Sequence, residues 1–212
     1  MRSLLVLCLL LFLGTWSAAD EKDKEVEPPT IEFQFPQVEG LESFLDTYRD
    51  NLRQEVMSEY ELAKSEDGIH NPWSLHLEAK MTYQGPFWSM LVSGYDYRGG
   101  AHGMPYIDVL YFDPETKQPI SQEDLLTPQS YERLSQLCRA GLIENEFAAD
   151  DEWMLKGTEP DAKNFQLLVP YDEEVQVLFN SYQVAPYAAG VPSVKLPWSE
   201  VNPILKEQFQ KL

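Results

Sequence analysis

The residues with the most chemistry sit in one short loop. Tyr95 to Phe112 reads YDYRGGAHGMPYIDVLYF, and Arg98, Gly99, Gly100 and His102 separate two aromatic-rich runs. An imidazole titrates near neutrality, so His102 could act as a general base, a metal ligand or a structural hydrogen bonder. Asp96 and Asp108 are near in sequence and could orient it across a hairpin. That constellation would be an envelope hydrolase using His102 with a nearby carboxylate. An active site is recognised by the mutual geometry of its groups. The glycines permit positive φ and close backbone approach, which a tight turn requires in any case.

Other chemistries lack a pattern. His70 falls in a loop and His76 at a strand start, with no HExxH, CxxC or closely spaced histidine pair, so neither metal nor cofactor is expected. The alternating Asp/Asn loop of an EF-hand, the GxSxG elbow and the phosphate-binding glycine motifs are missing from the sequence. Two carboxylates for glycoside cleavage could be picked at will among 35 acids, so that choice discriminates nothing.

The aromatics are more informative. Tyr95, Tyr97 and Tyr106 flank the glycine loop, and Tyr182 and Tyr187 lie beside and within APYAAG. A tyrosine offers a ring face and a hydroxyl, and beside glycines it makes good contact surface for sugars or proteins. Alternate tyrosines along a strand also line cores, and at least half of these are expected to do so. We take Tyr95, Tyr97, Arg98, Gly99, Gly100, His102, Tyr106, Tyr182 and Tyr187 as the candidate binding residues, with none assigned to catalysis. Cys138, on an apolar helical face, reads as a buried small hydrophobe.

The elements that must position these residues follow from hydrophobic period. Ile31, Phe33 and Phe35 alternate in a strand, with Pro36 at its end or on an edge. Leu41, Phe44, Leu45, Tyr48, Leu52, Val56 and Tyr60 recur at helical steps and make one stripe from Leu41 to about Lys64. Trp73 to Tyr83 alternates Leu75, Leu77, Ala79, Met81 and Tyr83. Phe87–Tyr97 and Pro105–Phe112 continue an antiparallel meander. Thr127-Pro128 reads as an N-cap and first turn of a second helix carrying Tyr131, Leu134, Leu137, Cys138 and Leu142. Glu152 to Ala162 reads as irregular, and Phe165–Pro170 with Val175–Phe179 as a hairpin. Tyr182 to Pro186 is a candidate sheet extension, followed by a strand to Trp198 and a final helix over about Ser199–Gln210. Strands in blocks with helices between them predict an α+β fold: an antiparallel meander packed with two main helices, in one unit over 30–212 with a candidate subdomain break near 114–127.

Met1-Arg2-Ser3, the apolar run LLVLCLLLFL and GTWSAA have the order of a secretory signal peptide. Ser17 and Ala19 suit a cut before Asp20, and a cut after Ala18 is nearly as good. The apolar run is half the roughly 20 residues that a spanning helix needs, and Val6-Leu7 before Cys8 argue against lipidation. Residues 20–29, DEKDKEVEPP, read as a flexible acidic leader. Periplasmic or secreted location, with no membrane span after cleavage, is the expectation. Cys138 would then be the sole thiol, so no internal disulfide forms. The net charge of −19 disfavours nucleic acid and anionic membranes. It suits solubility, and it suits a cationic partner through long-range attraction.

Three segments together resemble a known family. YDYRGGAHG is similar to a Y-x-Y-T-G-G-A-H turn, FDPETKQPISQEDLL to a segment with a T-G-K turn before D-L-F or D-L-L, and FNSYQVAPYAAG to F-x-x-Y-x-V-A-P-Y-A-x-G. These are features of the RsiV-type extracellular domain of bacteria, related to the non-catalytic N-terminal region of PdaC. The likeness runs from about Ile31 to Leu205. Lys117 stands where that family has a turn glycine, Glu173-Glu174 where it often has Asp-Gly, and Arg98 where it has threonine. The resemblance implies an α+β fold in which an N-terminal helix-and-strand part joins a meander-bearing C-terminal part. It also implies a sensor or binding role, towards lysozyme or another cationic protein, or towards wall glycan. Sigma-factor control and deacetylation depend on segments that this sequence does not show, so the module alone is the expectation. A structural or assembly subunit is a third reading.

Overall fold

A computed structural model describes residues 27–65, 71–148 and 150–211. The signal-peptide reading of 1–19, most of the acidic leader and His70 lie outside the described residues.

The N-terminal half is a five-stranded sheet with one long helix. β1 (Thr30–Gln34) leads into α1 (Glu42–Ser65), then β2 (Ser74–Gln84), β3 (Trp88–Tyr97), β4 (Met104–Phe112) and the two-residue β5 (Pro119–Ile120). The strands lie in sequence order. β2, β3, β4 and β5 pair antiparallel, as the meander pattern predicts, whereas β1 pairs parallel to β2 because α1 carries the chain back across the sheet. The helical stripe buries Leu45, Val56 and Tyr60 against Leu75, Leu77, Ala79, Met90, Val92 and Phe112. One face of the meander therefore packs on the N-terminal helix.

The other face of the same sheet covers a second core. α2 (Gln122–Leu125), α3 (Ser130–Glu144), α4 (Glu152–Gly157) and the antiparallel sheet β6 (Leu168–Pro170), β7 (Glu174–Leu178) and β8 (Ser193–Pro197) close it, with α5 (Trp198–Val201) last. Leu91, Val109 and Tyr111 point into it, so β3 and β4 bury both faces. β2 serves both cores through a bulge. The register passes from Met81↔Met90 to Tyr83↔Ser89, leaving Thr82 unopposed. The extra residue turns Tyr83 away from the α1 face and onto Phe87 and Trp198, at 5.3 and 5.0 Å between ring centroids. Unbroken alternation would have kept Tyr83 with Leu75–Met81.

Several local expectations shift. Thr127-Pro128 precede α3 by a turn. Thr127 accepts the Ser130 N–H through its carbonyl, and the helix starts at Ser130. Glu152–Gly157 is helical because the Asp151 carboxylate accepts the N–H groups of Trp153 and Met154. Residues 182–186 turn instead of extending the sheet, and a 3₁₀ turn follows at Tyr187–Ala189. The final helix breaks at Asn202-Pro203, since proline ends the α-helical ladder. Lys117 adopts φ +59, the conformation that a turn glycine would supply.

Cys138 is fully buried on α3, and burial pushes its thiol up to about 12. A buried thiol held protonated is a poor nucleophile. Native protein is expected to resist a thiol reagent at pH 8 for hours and to react stoichiometrically once unfolded in urea. Fast reaction of the folded protein would contradict this burial.

Candidate functional site

The loop after β3 is held from both sides. Tyr97 donates its hydroxyl to the Gly100 carbonyl at 2.9 Å, and Asn71 donates to the Gly99 carbonyl at 3.1 Å. Gly99 sits at φ +78 against the Trp73 indole, a conformation that side chains rarely adopt. Arg98 is turned inward as a clamp. Its Nε and Nη2 donate to the Asp96 carboxylate, its Nη1 to Glu59 on α1, and its guanidinium lies 5.1 Å from the Trp73 ring centre. Arg98 and Asp96 thus tie the loop to the helix.

His102 is exposed. Its Nδ1 is 3.1 Å from the Gly103 carbonyl, and its ring stacks on Tyr187 at 4.2 Å and 26°. Neither nearby aspartate orients it. Asp96 is engaged by Arg98, and Asp108 accepts the Tyr48 hydroxyl at 2.7 Å. Tyr106 joins that pair, 3.1 Å from the Tyr48 hydroxyl, on the α1 side of the sheet. Burial first, with the Asp108 charge next, holds the Tyr48 phenol far above its ordinary range.

Gly103 anchors the exposed side. Its N–H donates to the Tyr95 hydroxyl at 2.7 Å, and its carbonyl accepts the Tyr187 hydroxyl at 3.0 Å. The Tyr95 ring approaches so closely that a Cβ on Gly103 would lie 2.4 Å from it. The two tyrosine-glycine segments predicted separately therefore meet at one carbonyl.

From there a row of rings continues. Tyr187 faces Tyr182 at 6.0 Å and 31°, and Tyr182 faces Trp153 at 6.3 Å and 16°. The Trp153 indole N–H donates to the Tyr182 carbonyl, which helps to hold Tyr182 at φ +68. Tyr182 and Trp153 remain 47% and 39% exposed, enough for a ligand to reach them. Trp153 was missed in the sequence because 152–162 read as irregular. The Asp151 cap and the helical turn it starts were the available signal. Of the candidate residues, the row uses His102, Tyr182 and Tyr187. Tyr95, Tyr97, Arg98, Gly99 and Gly100 hold the loop, and Tyr106 packs towards α1.

Comparison with known proteins divides the chain in two. Residues 21–105 match the family described as Deacetylase PdaC, and residues 123–199 match the Protein of unknown function (DUF3298) family. The chain is 29% identical over 124 residues to the peptidoglycan-N-acetylmuramic acid deacetylase PdaC of Bacillus subtilis, a stretch covering 57% of this chain and 27% of that protein. It thus spans about a quarter of the curated relative. The fold is that of DUF3298 domains. A crystal structure of a DUF3298 family protein from Pseudomonas aeruginosa superposes with a TM-score of 0.52 at 23% identity, covering 72% of this chain and 69% of the other. A DUF3298 family member from Bacteroides fragilis gives 0.52 at 19% identity, covering 79% and 69%.

Proposed function

We propose that this chain is an exported binding module of the bacterial cell envelope, periplasmic or secreted, that recognises wall glycan without breaking bonds. The observation that carries the reading is the row His102–Tyr187–Tyr182–Trp153, four rings inclined to one another in turn by 26°, 31° and 16° and brought together from three distant segments. Aromatic rings with a polar edge suit sugar rings, which present apolar C–H faces between hydroxyls. The likeness to a peptidoglycan deacetylase supports the same setting. Hydrolysis has less support, because the His102 ring nitrogen faces a backbone carbonyl and both nearby aspartates have other partners.

Binding of the protein to purified, peptide-free wall glycan tests this. Tyr182→Ala and Trp153→Ala are each expected to weaken it about tenfold, roughly 1.4 kcal/mol. Unchanged binding in both variants would sink the reading. Release of soluble fragments, abolished in His102→Ala, would establish the hydrolase instead.

A second reading keeps the RsiV-type resemblance and takes lysozyme or a similar cationic protein as partner. The net charge of −19 favours it. Its affinity should fall steeply with added salt, and absence of binding at low salt would remove it.

A further inference from the structure

Among the described residues, the outer edge of β4 is open for most of its length. β5 covers it only at Tyr111↔Ile120 and Phe112↔Pro119, while β3 pairs with the opposite edge. Two hydrogen bonds fix which residues face outward. The Asp113 N–H donates across to the Gln118 carbonyl, and the Val109 N–H donates to the Asp108 carboxylate at 2.8 Å. Odd-numbered residues of β4 thus turn their backbone groups to the open edge, since backbone direction alternates along a strand.

This edge is rich in acceptors. Pro105 has no N–H, and the Val109 N–H is already held by Asp108. The carbonyls of Pro105, Ile107 and Val109 remain, with one N–H, that of Ile107. Beside them runs a groove of about 450 Å³, bounded by Phe44, Ile107, Gln166 and Asn180, with Asp108 and Glu123 as its charged lining residues. Among the described residues, no basic side chain lines it.

We propose that this groove binds an extended peptide bearing lysine or arginine side chains, added as a strand beside β4. The peptide's N–H groups meet the open carbonyls, and alternate side chains enter the groove. An ammonium or guanidinium meets Glu123 and the remaining lone pairs of Asp108, whose two oxygens already accept the Tyr48 hydroxyl and the Val109 N–H. A second copy of the chain fits less well. Its charge of −19 repels its like, and a proline together with a carboxylate on an edge disfavours pairing between identical edges. This inference stands apart from the glycan reading, because neither Trp153 nor Tyr182 lines the groove.

The test uses fluorescent hexapeptides of alternating valine with lysine, or valine with glutamate, titrated with the whole chain at low salt. The lysine peptide should bind and the glutamate peptide should not. Asp108→Asn with Glu123→Gln should weaken the lysine peptide roughly tenfold. N-methylating the alternate peptide nitrogens that face β4 should abolish binding, a change that cannot disturb the protein's own folding. Equal binding of both peptides, or indifference to N-methylation, would overturn the proposal. So would a dimer in solution that masks the groove, or displacement of the peptide by peptide-free glycan.

Discussion

Tyr111→Ala is expected to remove about 4 kcal/mol of stability and to lower Tm by about 10 °C. Tyr111 is 5% exposed and lies where the two sheets meet. Its ring packs on Phe87 at 6.0 Å, and its hydroxyl donates to the Leu168 carbonyl. That carbonyl points away from β7, because the neighbouring Leu167 carbonyl is the one that accepts the Leu178 N–H. The Tyr111 hydroxyl therefore caps the outer edge of the second sheet. Alanine would leave both a ring-sized cavity and an orphaned carbonyl. Tyr111→Phe separates the two effects. It keeps the ring and should cost about 1.5 kcal/mol, the penalty for a buried acceptor left without its donor. Urea titrations of the three proteins measure the series. A Tyr111→Ala midpoint within error of the parent would refute the account of how the halves are joined.

Much of the architecture was legible because period is a local property. The α1 stripe from Leu41 to Tyr60 needs only one helix and one sheet face to satisfy it, and it places the helix to within a residue or two. The meander was legible for the same reason. What alternation does not show is an inserted residue. Tyr83 continues the odd-numbered apolar series in the sequence, yet Thr82 is the bulge that sends it to the opposite core. The parallel pairing of β1 was hidden too, since it depends on where α1 returns the chain. At α3, Thr127-Pro128 has the composition of a helix start, but the Thr127 and Ser130 hydroxyls bond to one another at 2.9 Å and Ser130 donates on to the Ile204 carbonyl. A tertiary contact with the C-terminal segment outweighed the local signal.

The site divides along the same line. Residue type marked Tyr182, Tyr187 and His102 as contact candidates, and these fall in one row. Residue type also marked Arg98, whose role is set by partners far away in sequence: Glu59 on α1 and Trp73 before β2. A guanidinium in a glycine loop looks available until the helix opposite it is placed. Trp153 is the converse case, since its value comes from standing beside Tyr182, 29 residues further on.

Alkaline pH is expected to unfold this protein ahead of any deamidation or cleavage, through groups that folding keeps protonated. Burial holds the Tyr111 phenol well above its ordinary value of 10.0, and holds the Cys138 thiol at about 12 against an ordinary 9.0. Both folded values are raised, so the unfolded chain loses these protons first. Their contribution is fully present below about pH 9 for the thiol and about pH 10 for the phenol, and it is lost as pH climbs towards the folded values. Each buried group removes about 1.4 kcal/mol per pH unit within its window. Together they amount to roughly 4 kcal/mol by pH 11. Tyr48 and Tyr106 shift in the same direction, each through burial first, and steepen the fall by a smaller amount because both are partly open to solvent. Urea midpoints at pH 8, 9, 10 and 11 give the curve. Cys138→Ala should flatten the segment from pH 9 to 10, and Tyr111→Phe the segment above 10, each after allowance for its cost at pH 8. A parent midpoint that holds constant to pH 11 would mean that water reaches both groups and that the second core is not tightly closed.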